Sequence, residues 1–597
     1  MTDTLSSLEA RVEQIAAQVD SLTRKVEALS VKMDRSDTRP VLNGATPRAD
    51  DLPDPSEALL SWVGRSSLLQ RLSTICFLLV VALILRTVTE NEIINLQLGS
   101  LIGMSYSAAL IFMGWKRYRK ANPLAPIFTV CGTVLMLTIV VEAHTHFDAL
   151  PSVPAYILLM LTGLSTAVIS YVYRVPAPVS IGNLGMCLAG AAIDYPAPFF
   201  PYLAILLLTA NVLGSLATRA HRYSWLRWIL LLVTLFMIHL WGFKLGMTLL
   251  GGEPPSPALA PSWFLPFLSL FTMAYMLTAF LGITRSLPGK ISRFELALPT
   301  INVAWAFFLA QYVVSAMGGS KMLLGAIGVT VGVGHLTAAM WLSGRDRRGA
   351  RGTNAFLLAG VVLLALALPM AADSMFLSLP LLAAVALGTA VVSAKWHSGS
   401  VRVTSYLLQI YPAGALAVTL LSREAPAASF PASVVSAGVL ACIAFVHYRW
   451  CRSRNPPEES ALFQKIDKSD FSAIAILLAA LLNAFFMLRL IVSQVLAALL
   501  APAELNNALS CSQSVIINLS AITLMFFAQV HRIREVRNVA IFVTVIGAVN
   551  VFLYDLIRAH GMPLVISVLS FGLATAVESV ILGRWQSLSP PMQENNQ

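Results

Sequence analysis

From residue 68 to residue 584 the chain is a succession of apolar runs of about 20 residues, separated by short polar turns. A helix rises ~1.5 Å per residue, so each run is long enough to cross a hydrocarbon layer of ~30 Å. Hydrophobic residues make up 57% of the chain and charged residues only 12%, with a mean hydropathy of +0.74. A water-soluble fold could not bury that much apolar surface. In lipid every backbone polar group must find its partner within the chain, which selects helices for runs of this length. The expected fold is therefore all-α: a polytopic membrane bundle of about 18 transmembrane helices, the first near 68–88 and the last near 563–584.

Charge placement sets the expected topology. Of the 41 Lys and Arg residues, all but Arg86, Lys244, Lys321, Arg423, Arg489 and Arg558 lie in the N-terminal region or in alternate turns such as WKRYRK, GRDRRGAR and HRIREVR. The positive-inside rule then predicts that both termini are cytoplasmic. The net charge of +11 is accounted for by this bias, so no nucleic-acid partner is expected. No apolar signal-type core occurs in the first 57 residues, and no cleavable leader is expected. The cysteines lie singly, with no CxxC spacing, and read as small core residues.

Before the first run, Leu5, Leu8, Val12, Ile15, Val19, Leu22, Val26, Leu29 and Met33 alternate at spacings of three and four. That is a heptad seam, and Val at one position with Leu at the other favours a parallel dimer. The expectation is a cytoplasmic coiled coil over 1–33 that forms a homo-oligomer or recruits a partner protein. A membrane-surface amphipathic helix is the alternative. Residues 34–67, with Pro40, Pro47, Pro53 and Pro55, read as a flexible linker.

Three hairpins resemble one another, beginning at LIGMSYSAAL, AIGVTVGVGH and SVIINLSAIT. Each has a helix rich in small residues, a basic turn, and an aliphatic helix closing on an acid. The expected organisation is a set of parallel four-helix repeats at 68–173, 178–283, 294–395 and 471–585, with a helical hairpin half-unit at 401–450 and a disordered tail at 586–597. The run 490–501 reads either as an interfacial helix or as an extension of the span before it.

The stretch VVEAHTHFDALP places Glu142, His144, His146 and Asp148 at alternate positions. These are metal-ligand residue types, with zinc the best fit, and His144 and His146 are the candidate ligands. On a helix, however, Glu142 faces His146 while His144 faces Asp148. The alternative readings are a polar rim at the outer interface and a cluster that handles protons or substrate. The counterparts in the other units are His239, Asp373 and Asp555, and none repeats the double histidine. Arg86 and Arg489 end the first helices of their units, and a carboxylate partner would offset their burial: Glu142 or Asp555 for Arg86, Asp555 for Arg489. Snorkelling to headgroups is the alternative. His335 and Glu578 lie nearer the other side. The candidate polar cluster is thus Arg86, Glu142, His144, His146, Asp148, Arg489 and Asp555. No nucleotide-binding, zinc-protease or hydrolase motif occurs, and no cofactor is expected.

The segment SWVGRSSLLQRLSTICFLLVVALILRTVTEN behind a coiled coil, with FLYDL and SVLSFGLATAVES near the end, resembles the bacterial multi-pass membrane proteins grouped as domain of unknown function 2339. The resemblance places Arg86 at the family's basic residue ending the first span and Asp555 at the FLYDL aspartate. It departs at Ser73, at AGAAIDYPAP and at Met562-Pro563, where the family has other residues. The resemblance implies architecture and location, and no activity. Three functions stay open: a transport or translocation component of the cell envelope, a scaffold acting through the coiled coil, and a membrane-embedded enzyme for lipid-linked substrates at the outer face.

Overall fold

The computed structural model describes residues 66–90, 95–194, 199–221, 224–285, 291–345, 351–422, 430–457 and 461–587. The expected coiled coil over 1–33 and nearly all of the expected linker lie outside these residues, as does the tail from 588. The chain divides into two compact units, Met1–Cys76 and Phe77–Gln597, and the account below concerns the second.

Among the described residues the protein is helical, with no strand. The long helices are α1 (Ser66–Glu90), α2 (Leu96–Arg119), α3 (Ala125–Thr145), α4 (Ser152–Tyr173), α5 (Pro176–Ile193), α6 (Phe200–His221), α7 (Ser224–Leu250), α8 (Pro261–Arg285) and α9 (Arg293–Ala316). They continue as α10 (Lys321–Arg345), α11 (Arg351–Ala371), α12 (Met375–Lys395), α13 (Gly399–Ser422), α14 (Phe430–Arg452), α15 (Ile474–Leu499), α16 (Pro502–His531), α17 (Arg534–Asn550) and α18 (Met562–Ser587). Among the described residues 17 helices are long and apolar enough to cross a membrane. The remaining expected run, 68–88, lies on α1, which straddles the two units and is not one of the 17. The run 490–501 proves to be largely an extension of its span, since α15 continues unbroken to Leu499.

Local chemistry sets the helix ends. The Asn95 side chain accepts from the Gln97 N–H to start α2, which closes on Lys116, Arg117 and Arg119 against its negative dipole end. Ser292 and Glu295 form a capping box at the start of α9. The aspartate of FLYDL lies in a π-helical turn, Val551–Asp555, that carries α17 on to Leu556–Arg558.

The three hairpins that look alike in sequence, α2–α3, α10–α11 and α16–α17, are each close antiparallel pairs. Small residues permit the approach. A Cβ at Gly132 would lie 2.9 Å from Ile111 N and Ser107 O, and one at Gly325 would lie 2.3 Å from Ala371 N. The pair over 401–450 behaves differently. α13 and α14 touch each other little, and each packs instead on α12 and α15. One large apolar cluster runs from α3 to α13, and a second joins α13 and α14 to α15, α16 and α17.

Candidate functional site

Arg86 and Glu142 form an ion pair of 2.7 Å, joining the ends of α1 and α3 that lie away from the basic turn Lys116–Lys120. The pair is half-open: the arginine side chain is 51% exposed and the glutamate 26%. It closes one end of a groove of about 790 Å³ between α1, α3 and α5. The walls are apolar, formed by Leu79, Leu83, Val134, Leu137, Ile181 and Leu188, with Gly185, Ala189 and Ala192 keeping α5 thin. Thr145 and His146 complete the polar end. Leu83 and Leu188 are exposed, so the groove opens sideways toward lipid. The arrangement is amphipathic: a polar head end and a long apolar trough.

Of the rest of the 142–148 cluster, His146 reaches the groove's polar end, and His144 and Asp148 do not. α3 ends at Thr145, and His146 caps it through its N–H to the Glu142 carbonyl. His144 Nδ1 lies 2.7 Å from the Leu150 carbonyl across the turn, so this ring fastens the turn. The His146 ring lies edge-on to Phe147, and Asp148 is exposed at a φ of 46°. Among the described residues no three His, Cys, Asp or Glu side chains gather where they could hold a metal ion. His239 and Asp373, the expected counterparts, are exposed.

Arg489 and Asp555 do not pair. The π turn that carries Asp555 packs on α16, α17 and α18, whereas Arg489 is on α15. Asp555 is 1% exposed, and its Oδ2 accepts from Ser514 and Ser567 hydroxyls, both at 2.5 Å. His335 lies 2.8 Å from the Val331 carbonyl through Nδ1, and its ring lies on Phe356; it packs α10 against α11.

Two buried ion pairs escape the sequence reading. Arg227 and Glu295 meet at 3.2 Å between α7 and α9, both nearly buried, with Phe294 under the guanidinium. At the basic end Arg402 is fully buried. It donates to Asp470 Oδ2 at 2.5 Å, to the Tyr406 hydroxyl at 2.7 Å and to the Cys451 carbonyl at 2.9 Å. Longer bonds reach the Arg454 and Asn455 carbonyls, and Tyr406 donates in turn to Asp470. This network pins the segment after α14 under α13. In the sequence Arg402 reads as one more basic turn residue. The available signal was its position inside SVRVTSYLLQIYP, where an arginine is followed by a run long enough to bury it.

No curated protein and no solved structure matches the chain. A family model described as "Predicted membrane protein (DUF2339)" matches residues 65–450, from the start of α1 almost to the end of α14. The match takes in Arg86, Glu142 and every wall of the groove, and it stops short of α15–α18 and the FLYDL turn. With that match running over well more than half of its length, the chain belongs to the DUF2339 family of predicted membrane proteins.

Proposed function

We propose that the protein is a transport or translocation component of the bacterial cell envelope that takes an amphipathic, lipid-like substrate into the groove between α1, α3 and α5. The observation that carries this reading is the groove itself. Its volume falls in the usual range for ligand sites, roughly 300–1,000 Å³, and its apolar length ends at a charged pair. An acyl chain would lie along Leu83, Val134 and Leu188, with an anionic headgroup drawn to Arg86 in competition with Glu142. The Lys/Arg bias supports an orientation with the groove's polar end at the outer face and both termini in the cytoplasm. Parallel four-helix repeats and a coiled coil that makes a dimer or holds a partner protein belong to the same proposal.

A scaffold role is the second reading. It is favoured by the internal pairing of the buried charges: Arg227 with Glu295 and Arg402 with Asp470. The enzyme reading has less support, because His144 and Asp148 do not line the groove. The deciding experiment is native mass spectrometry of the full-length protein released from membranes, comparing wild type with Ala192→Trp, which fills the groove, and Arg86→Gln. Retained lipid that both variants lose is expected. Lipid retention identical in all three proteins sinks the groove reading and leaves the scaffold.

A further inference from the structure

Neither the groove nor an ion pair accounts for two buried carboxyl groups, Asp555 and Glu578, which are 1% and 7% exposed. Among the described residues neither has a Lys, Arg or His ion-pair partner. A carboxylate inside a membrane bundle without a counter-charge is costly, and such groups mark ion and proton pathways. Both are held by hydroxyls. Ser514 and Ser567 donate to Asp555, and Thr544 donates to Glu578 Oε1 at 2.5 Å.

The two acids are ends of one polar seam inside the three-helix assembly of α16, α17 and α18. At its first level are Asp555, Ser514, Ser567 and Asn550, whose Nδ2 donates to Ser514 at 2.7 Å. One turn further in, Asn518 donates to Ser570 at 2.9 Å, and Gly547 lies opposite. One turn beyond Gly547 come Thr544 and Glu578. On α18 alone, residues 567 to 578 span about 16 Å along the axis. The midpoint is not a finished hydrogen-bond network. Asn518 is fully buried and, among the described residues, its Oδ1 has no hydrogen-bond partner. Its place depends on Gly547, where a Cβ would lie 2.1 Å from that oxygen.

We propose that this seam is a proton path, in which Asp555 and Glu578 bind and release the proton and Asn518 holds the polar line between them by hydrogen bonding, taking up no proton itself. Two carboxyls without a counter-charge among the described residues, set along one line of buried hydroxyl and amide groups, carry the proposal. A metal cation fits less well than a proton. Ser514 already accepts from Asn550, and the first level has one carboxylate only. Each acid takes up one proton and gives up one, and no other bond is made or broken. The neighbouring titratable groups do not neutralise either acid. Near Asp555 these are the buried Cys511 thiol of α16 and, beyond the turn, the exposed Arg558 and His560. Near Glu578, Arg537 lies over Trp585 at 4.8 Å, His531 lies on Phe527, and Glu535 pairs with Arg452. The proposal does not rest on the groove or on what the groove holds.

The test uses full-length protein in liposomes that enclose a pH dye, with a potassium diffusion potential driving protons, and infrared pH titration of the same samples. The wild type is expected to pass protons and to show protonated-carboxyl bands that vanish as pH rises. Asp555→Asn and Glu578→Gln should each remove one band and cut the flux about a hundredfold, the usual loss when a proton-transferring group is deleted. Asn518→Leu should cut the flux and keep both bands. If Asp555→Asn does not fold, Ser567→Ala replaces it and should move the midpoint of the Asp555 band. Wild-type protein that passes no protons, bands that survive in both acid variants, or a midpoint that Ser567→Ala leaves in place would each overturn the proposal.

Discussion

Replacing Asp470 with asparagine removes one charge from the most deeply buried ion pair described here and changes almost no volume. Arg402 is then left at 0% side-chain exposure with its cation uncompensated. Breaking a buried pair from one side costs about 3–5 kcal/mol. Here the carbonyls of Cys451, Arg454 and Asn455 still accept from the guanidinium, which puts the expectation at the low end, about 3 kcal/mol. Asp470→Ala also strips Tyr406 of its acceptor and adds about 1–3 kcal/mol. The assay is unfolding of purified protein in mixed micelles, with the lifetime of the monodisperse species as a second readout, since unfolding of large membrane proteins is often irreversible. Glu142→Gln is the control, because its ion pair is half-exposed and such pairs are worth about 0.2–1 kcal/mol. Arg402→Met with Asp470→Leu should recover the part due to the stranded cation, and not the part due to Tyr406, whose hydroxyl still loses its acceptor. Equal losses for Asp470→Asn and Glu142→Gln would refute the reasoning.

Three further outcomes are expected. Gly325→Ala should destabilise the protein by about 1–3 kcal/mol in the same unfolding assay, because its methyl would press on the Ala371 backbone rather than on a side chain that can swing away. Gly334→Ala, which meets nothing, should not. Burial pushes the Asp194 carboxyl above its ordinary range against the pull of the Phe199 N–H and Lys244, so the folded state holds this proton more tightly than the unfolded chain. Stability from this group is therefore full below the unfolded pKa of about 3.9 and falls as pH rises through the folded value. Asp194→Asn should gain on wild type across that window in a pH series of melting curves; a constant difference would count against it.

The helices were legible because each lipid-crossing run must be helical and long, and the hairpin turns because their arginines and lysines punctuate the runs. The Arg86–Glu142 pair was legible for a related reason: both residues close their spans at the same depth. What stayed hidden depends on which segment folds over which. Arg402 and Asp470 are far apart in sequence, and only the path of the chain after α14 brings the carboxylate under α13. Arg489 called for a carboxylate or for headgroups, and the sequence offered Asp555 at a matching depth. Depth does not fix the neighbour, and α16 and α18 brought serines instead. Alternating acids and histidines over 142–148 left a ligand set, a polar rim and a proton- or substrate-handling cluster open; the helix ends inside the motif, so Glu142 and His146 reach the groove while His144 turns to the Leu150 carbonyl and Asp148 is exposed.

The π turn over Val551–Asp555 makes the angular register of FLYDL a discrete variable. A wide turn holds one residue more than an α turn over the same rise, and each residue of an α-helix advances the azimuth by about 100°. Deleting a single residue from this turn would straighten the path and swing Asp555 by about 100°, away from Ser514 and Ser567, with the rest of α17 undisturbed. Sliding the wide turn along the helix by one position would do the same without any deletion. The azimuth seen here, on Ser514 and Ser567, is thus one hydrogen-bond step from another that would point the aspartate away from both.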